Sequence, residues 1–249
     1  MDNPVYKVNS TELTSLASAI KTKLGITSSI SYPFIKELKM LGGKPYTFDD
    51  IMSRKVSGFS EPINLSYIED GHFAYFSYIT SINAPNANYI GNAAFTNCYT
   101  LSYISFPICS YIGSYAFSQC KSLTTASFPI CTSIGNYAFY FCTSLSTANF
   151  PVCTSIGMAA FSSCSKLTTT SFPSCTSIGN YAFTSCSSLT DISFPVCTNI
   201  GSYAFSSCFA LTTINFPACS TINTYAFYNC SALTVASFPV CNYIGQGAF

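Results

Sequence analysis

Tryptophan is absent from this 249-residue chain, histidine occurs once, and charged residues make up only 8% of it. Ten basic against nine acidic side chains leave a net charge of +1. So small a surplus lacks the basic footprint that nucleic-acid binding requires. With 49% hydrophobic residues, the chain also lacks the high-charge, low-hydrophobicity signature of disorder. A positive mean hydropathy of +0.34 raises the question of a membrane, but no apolar run approaches the roughly 18 to 20 residues that span a bilayer. Membrane insertion is therefore not expected. The start, Met1-Asp2-Asn3-Pro4, has neither the basic flank nor the apolar core of a signal peptide. Either export does not use such a leader, or a leader precedes this sequence.

Groups for chemistry are equally scarce. Any Ser-His-Asp or Cys-His arrangement must use His72, whose setting beside Glu69 and Asp70 reads as plain surface or a capping position. The adjacent acids Asp49 and Asp50 read as complements of a helix dipole, and no glycine-rich phosphate loop is present. No catalytic residue, metal site or cofactor is expected.

What the chain has in abundance is regularity. Residues 71–249 carry three charges, Lys121, Lys166 and Asp191, so the surface there must consist of hydroxyls, amides and tyrosines. Proline falls at 85, 107, 129, 151, 173, 195, 217 and 239, a period of 22, and from Pro107 onward each follows a phenylalanine. Leucine repeats in the same register from Leu101 to Leu233, isoleucine from Ile112 to Ile244, and an Ala-Phe pair ends at every position from Phe95 to Phe249. A fixed period of this length is the mark of a solenoid: one unit cannot bury its apolar side, but stacked units can.

Within a unit, Leu101, Ile104, Phe106 and Cys109 follow the spacing of a leucine-rich repeat. The alternation Ile104-Ser105-Phe106 has period two, which sends Ser105 outward, and Pro107 ends the strand because it has no N–H to donate. The second half, Ile112-Gly113 through Ala116-Phe117 to Cys120, returns the chain on the far side. Glycine recurs at 91, 113, 135, 157, 179, 201 and 245, where a bend with positive φ is expected. Asn223 fills the same column, as the residue best suited to that conformation. A degenerate first rung runs from Ile63 to Ala84, with Ile68, Phe73, Phe76, Ile79 and Ile82 in the core columns.

All fourteen cysteines fall in two columns offset by 11, one from Cys98 to Cys230 and the other from Cys109 to Cys241. No short Cys-x-x-Cys pair suggests zinc. Disulfides are disfavoured because stacked equivalent residues hold parallel Cβ vectors about 4.8 Å apart, beyond the usual range of roughly 3.5 to 4.5 Å. Buried free thiols acting as small hydrophobes are expected, which implies a reducing or anaerobic setting.

Outward strand positions supply the candidate ligand-binding face. One column contains Tyr103, Thr125, Thr147, Thr169, Asp191 and Thr213, and the other Ser105, Ser127, Asn149, Ser171, Ser193 and Asn215. Neutral hydroxyls and amides of this kind suit a protein or carbohydrate ligand. Tyrosines at 115, 137, 181, 203 and 225 either flank a bound carbohydrate or stack on one another for packing. The last rung stops at Phe249 without a counterpart of Cys230, so self-association through an uncapped C-terminal rung is a further expectation.

The columns Leu101, Ile104, Phe106, Pro107, Cys109, Ile112, Gly113, Ala116, Phe117 and Cys120, recurring over residues 63–249, resemble the BspA-like leucine-rich repeats, a bacterial subclass also called treponemal. The unit is one residue shorter than is common there. The resemblance implies a leucine-rich-repeat solenoid with 22-residue parallel-strand rungs, and a non-enzymatic adhesin or surface protein.

Residues 1–62 differ in composition and hold most of the charge. Asn9 and Glu12 form a helix-cap signal, Leu13, Leu16, Ala17, Ile20 and Leu24 recur at helical spacing, and Gly25 stops the run. A second helix is expected from Pro33 to Leu41, with Lys36, Lys39 and Lys44 read as a solvated face. This gives a small helical N-terminal module over 1–43, a linker or cap over 44–62 and the solenoid over 63–249, an α+β repeat protein as a whole. The stretch from Tyr6 to Lys23 with Ser31-Tyr32-Pro33-Phe34 resembles a short module of phage and prophage tail-associated proteins, although Lys21 stands where arginine is usual. That resemblance implies a virion-associated protein as the alternative to an extracellular or cell-surface one. A second reading of the solenoid is a structural spacer or virion tail-associated assembly element without its own ligand.

Overall fold

The computed structural model describes residues 65–76 and 79–249, all within the second of the two compact units into which the chain divides, Met1–Val56 and Ser57–Phe249. The helices expected over 1–43 and the linker over 44–62 lie outside the described residues. Among the described residues there is no helix.

Each 22-residue unit is one turn of a coil with two strands. Three-residue strands run at Ser81–Asn83, Tyr103–Ser105, Thr125–Ser127, Thr147–Asn149, Thr169–Ser171, Asp191–Ser193, Thr213–Asn215 and Val235–Ser237. Two-residue strands, from Tyr89–Ile90 to Tyr243–Ile244, form a continuous eight-stranded parallel sheet. Every residue pairs with the one 22 further on, as Ile134 does with Ile156 and Thr125 with Thr147. The degenerate first rung joins in register: Ile68 bridges Ile90 and Ile82 pairs with Ile104.

The three-residue strands do not form one sheet. They divide into groups of two, three and three, with seams between Tyr103–Ser105 and Thr125–Ser127 and between Thr169–Ser171 and Asp191–Ser193. Both seams fall where the inward residue changes size, from Ile104 to Ala126 and from Thr170 to Ile192. Two other changes of size, Ala148 to Thr170 and Ile214 to Ala236, keep their pairing, so residue size alone does not set the seams.

Two ladders of phenylalanine fill the core. Phe95, Phe117 and their successors stack at 5.0 to 5.5 Å with planes within 10° of parallel. Phe106, Phe128 and theirs stack at 5.3 to 6.1 Å. The ladders meet mostly edge to face, as Phe139 meets Phe150 at 6.0 Å, so each ring has both preferred aromatic geometries.

The glycine column corrects an expectation. Positive φ does not occur at Gly91, Gly113, Gly135, Gly157, Gly179, Gly201 or Gly245, nor at Asn223. It falls instead two and six residues after the column, for example at Tyr115 and Gln119, Tyr137 and Phe141, or Tyr181 and Ser185. The glycines are needed for close approach: a Cβ on Gly135 would lie 2.6 Å from the backbone of Gly113 and Ser114. The side-chain-bearing left-handed positions are held by backbone bonds to the next rung, from Tyr115 N to Asn136 O at 2.9 Å and from Gln119 N to Tyr140 O at 2.7 Å. Such bonds offset the roughly 1 to 2 kcal/mol that this conformation costs.

Candidate functional site

The strands present the candidate residues outward as expected. Tyr103, Thr125, Ser127, Thr169, Asp191, Ser193, Thr213 and Asn215 are exposed, and Ser105, Thr147, Asn149 and Ser171 half-buried. The seams divide them. Thr125, Ser127, Thr147, Asn149, Thr169 and Ser171 share one three-stranded sheet, Asp191, Ser193, Thr213 and Asn215 another, and Tyr103 and Ser105 pair with Ser81 and Asn83.

Other hydroxyls of the rungs are committed to structure. Before the longer strand, Ser102, Ser146, Thr168, Thr212 and Thr234 each donate a hydrogen bond to the carbonyl of the residue 22 earlier, at 3.0 to 3.3 Å. Before the shorter strand, Ser110, Thr132, Thr154, Thr176, Thr198 and Ser220 do the same at 3.1 to 3.2 Å. On the candidate face the only side-chain bond among the described residues runs from Asn149 Nδ2 to Ser127 Oγ at 3.5 Å. The face therefore offers hydroxyls and amides not already used by the fold. Composition alone did not separate the two populations, although their alternation along the strand was a usable signal.

The tyrosines at the turn edge stack on one another. Tyr115 lies on Tyr137 at 4.7 Å, Tyr181 on Tyr203 at 5.0 Å and Tyr203 on Tyr225 at 4.9 Å. Ala159 occupies the column between Tyr137 and Tyr181.

The cysteines are core. Thirteen are buried, Cys241 is partly exposed, and all fourteen are free. Thiols of the first column donate to the carbonyl 25 residues earlier, as Cys142 does to Phe117 at 3.1 Å. Those of the second donate to the carbonyl two residues on, as Cys153 does to Ser155 at 3.2 Å. Burial pushes the Cys153 thiol up to about 11 and those of Cys109 and Cys197 up to about 12, so they stay protonated and poorly nucleophilic.

His72 differs from the surface position expected for it. Its side chain is buried, its ring lies 4.5 Å from that of Phe73, and burial holds its pKa down at about 4. The neighbouring Asp70 accepts hydrogen bonds from Asn92 N at 2.7 Å and Asn92 Nδ2 at 3.2 Å and so ties the first rung to the second. Among the described residues, no group of three or more His, Cys, Asp or Glu side chains is placed to hold a metal ion, and no helix is long and apolar enough to cross a membrane.

At the last rung Val235, Val240, Tyr243, Ile244 and Phe249 are exposed. Beside them lies an open groove of about 410 Å³ lined by Phe227, Cys230, Leu233, Ala236 and Phe249.

Among solved structures, the chain is similar to a leucine-rich-repeat protein of T. pallidum, at 30% identity with a TM-score of 0.52, covering 56% of this chain and 67% of that one. It is also similar to a leucine-rich cell surface protein of Faecalibacterium prausnitzii, at 25% identity with a TM-score of 0.55, covering 77% and 68%. No curated protein matches it. The family described as the BspA type leucine-rich repeat region matches residues 44–168 and 154–249. With its 22-residue rungs and parallel strands, the chain belongs to the BspA-type leucine-rich-repeat family.

Proposed function

We propose that the chain is a non-enzymatic recognition protein, displayed at a cell surface or on a virion, whose solenoid binds a protein or carbohydrate ligand on its longer-strand face. The observation that carries this reading is the contrast between the two hydroxyl populations. Serines and threonines before each strand are consumed by rung-to-rung bonds, while those on the face have polar groups to spare. A neutral array of donors and acceptors on a rigid scaffold recognises a ligand by hydrogen-bond pattern, with little contribution from charge. Kinship with a protein named for the cell surface supports the location. The N-terminal module, outside the described residues, is the proposed attachment to a larger assembly. The thiols are proposed to be kept reduced.

The test is retention of the whole chain on arrays of glycans and of extracellular proteins, with and without Thr147→Lys, Asn149→Lys and Ser171→Lys together. Binding that survives the triple substitution refutes the face. Retention on neither array favours the reading as a spacer without its own ligand. Self-association through the exposed apolar side chains of the last rung belongs to the same reading, and light scattering that shows a monomer at high concentration refutes that part.

A further inference from the structure

Within the tyrosine column from Tyr115 to Tyr225, one rung breaks the turn-edge pattern. Where the rungs on either side read Asn136-Tyr137 and Asn180-Tyr181, the rung between them reads Met158-Ala159. The tyrosine stack is thereby missing one ring. Tyr137 still lies within 5° of parallel to Tyr115 at 4.7 Å, and Tyr181 within 4° of Tyr203 at 5.0 Å, so neither wall has tilted into the gap. Tyr225, which has Gly247 after it in the column, is by contrast turned 26° from Tyr203. Tyr140 braces Tyr137 edge-on at 5.6 Å, and Phe141 braces Tyr140 at 4.8 Å. Of the two walls, Tyr181 is 42% exposed and Tyr137 half-buried. Ala159, at the base of the gap, is only 4% exposed.

Two rungs separate the walls, which sets the ring centres about 10 Å apart. A flat ring in face contact on both sides fills about 7 to 8 Å of such a gap, and a puckered pyranose, whose axial C–H bonds add about 1 Å per face, fills about 9 to 10 Å. Polar groups stand beside the gap. Asn136 Oδ1 accepts a hydrogen bond from Met158 N at 2.8 Å, and Asn180 Oδ1 accepts one from Ser202 N at 2.9 Å. Both asparagines are exposed, so their Nδ2 groups and the tyrosine hydroxyls are donors for ring hydroxyls. The partly exposed Met158 adds an apolar edge.

We propose that the notch between Tyr137 and Tyr181 is a carbohydrate subsite that takes one pyranose ring of a neutral glycan sandwiched between the two tyrosine faces. It lies on the turn edge of the rungs and is separate from the strand face. Walls already parallel and braced lose little freedom on binding.

The test is a glycan array probed with the whole chain, followed by saturation-transfer NMR and calorimetry on the oligosaccharide it retains. Ala159→Tyr restores the residue of the column and fills the notch without disturbing the rung. It is expected to keep the melting temperature at or above that of the parent while weakening the glycan at least tenfold. Tyr181→Ala is expected to weaken it similarly, with saturation transfer confined to one sugar ring in the parent. Retention unchanged by Ala159→Tyr overturns the proposal. Loss with Thr147→Lys but not with Ala159→Tyr moves the ligand to the strand face and also overturns it. So does the absence of any retained glycan, including the case where only a tyrosine- or phenylalanine-bearing protein binds.

Discussion

Gly135 sits so tightly against Gly113 that a Cβ on it would lie 2.6 Å from the Gly113 carbonyl carbon and 2.8 Å from its oxygen. The contact is backbone on backbone, so no flexible side chain can give way. Gly135→Ala must force the rungs apart, which also strains the bond from Gly135 N to Ile112 O at 2.8 Å. Loss of about 2 to 4 kcal/mol is expected, the range of severe core overpacking, measured by urea unfolding. Asn223 shows the accommodation that is possible. Its backbone N–H reaches Ile200 O at 3.0 Å against 2.7 to 2.9 Å at the glycines, and its Nδ2 bonds the same carbonyl at 2.8 Å. A Gly135→Ala melt equal to that of the parent would show that the rungs open without cost.

The period, the strands and the core columns were legible in the sequence because each is a one-dimensional repeat: Phe106, Pro107 and Cys109 recur at a spacing that only stacked rungs satisfy. The outward placement of Thr147 and Asn149 followed from period-two alternation. Three features were not legible. The cause of the glycine column, close approach instead of positive φ, depends on the distance to the previous rung. The burial of His72 depends on how a degenerate rung closes over Phe73. The seams beside Thr125–Ser127 and Asp191–Ser193 are not marked by the size of the inward residue, since Ala148 to Thr170 and Ile214 to Ala236 also change size and stay paired.

Thr170 Oγ1 is buried without a hydrogen-bond partner at the second seam, in the inward column where other rungs place isoleucine or alanine. A buried hydroxyl without a partner forfeits its hydration for nothing in return. Thr170→Val keeps the shape and removes the polar atom. Stabilisation of about 1 kcal/mol is expected, read as a rise of roughly 2 to 4 °C in Tm. An unchanged or lower Tm would mean that the hydroxyl is satisfied in solution.

His72 predicts a loss of stability on mild acidification. Its pKa is about 4 in the folded chain and 6.5 in the reference state, and the cause is burial. The unfolded chain therefore takes up the proton first. Stability is full above about pH 6.5 and falls as the pH drops toward about 4, by up to about 3 kcal/mol over the whole interval. The comparison is with His72→Phe, which keeps a ring and has no proton to bind. Urea midpoints at pH 7 and pH 4.5 should converge less for the parent than for the variant. Equal acid sensitivity of the two would place the effect elsewhere.

Cys241 differs from the other thirteen cysteines in its exposure, and that difference predicts a labelling pattern. Cys142 is fully buried and donates to Phe117 O at 3.1 Å, and Cys153 is held at a pKa of about 11. Thiolate is the species that alkylates. At pH 8 the protonated, enclosed thiols can react only through opening of the coil. Native protein treated with iodoacetamide should therefore gain one label rapidly, at Cys241, and the rest at the rate of unfolding, while protein in denaturant gains fourteen. Because rungs open from the ends of a solenoid, Cys230 and Cys219 should follow Cys241 before the central cysteines do. Mass spectrometry of peptides over time resolves the order. Uniform labelling of all fourteen would mean that the coil opens as a single unit, and rapid labelling of Cys142 in native protein would contradict its burial.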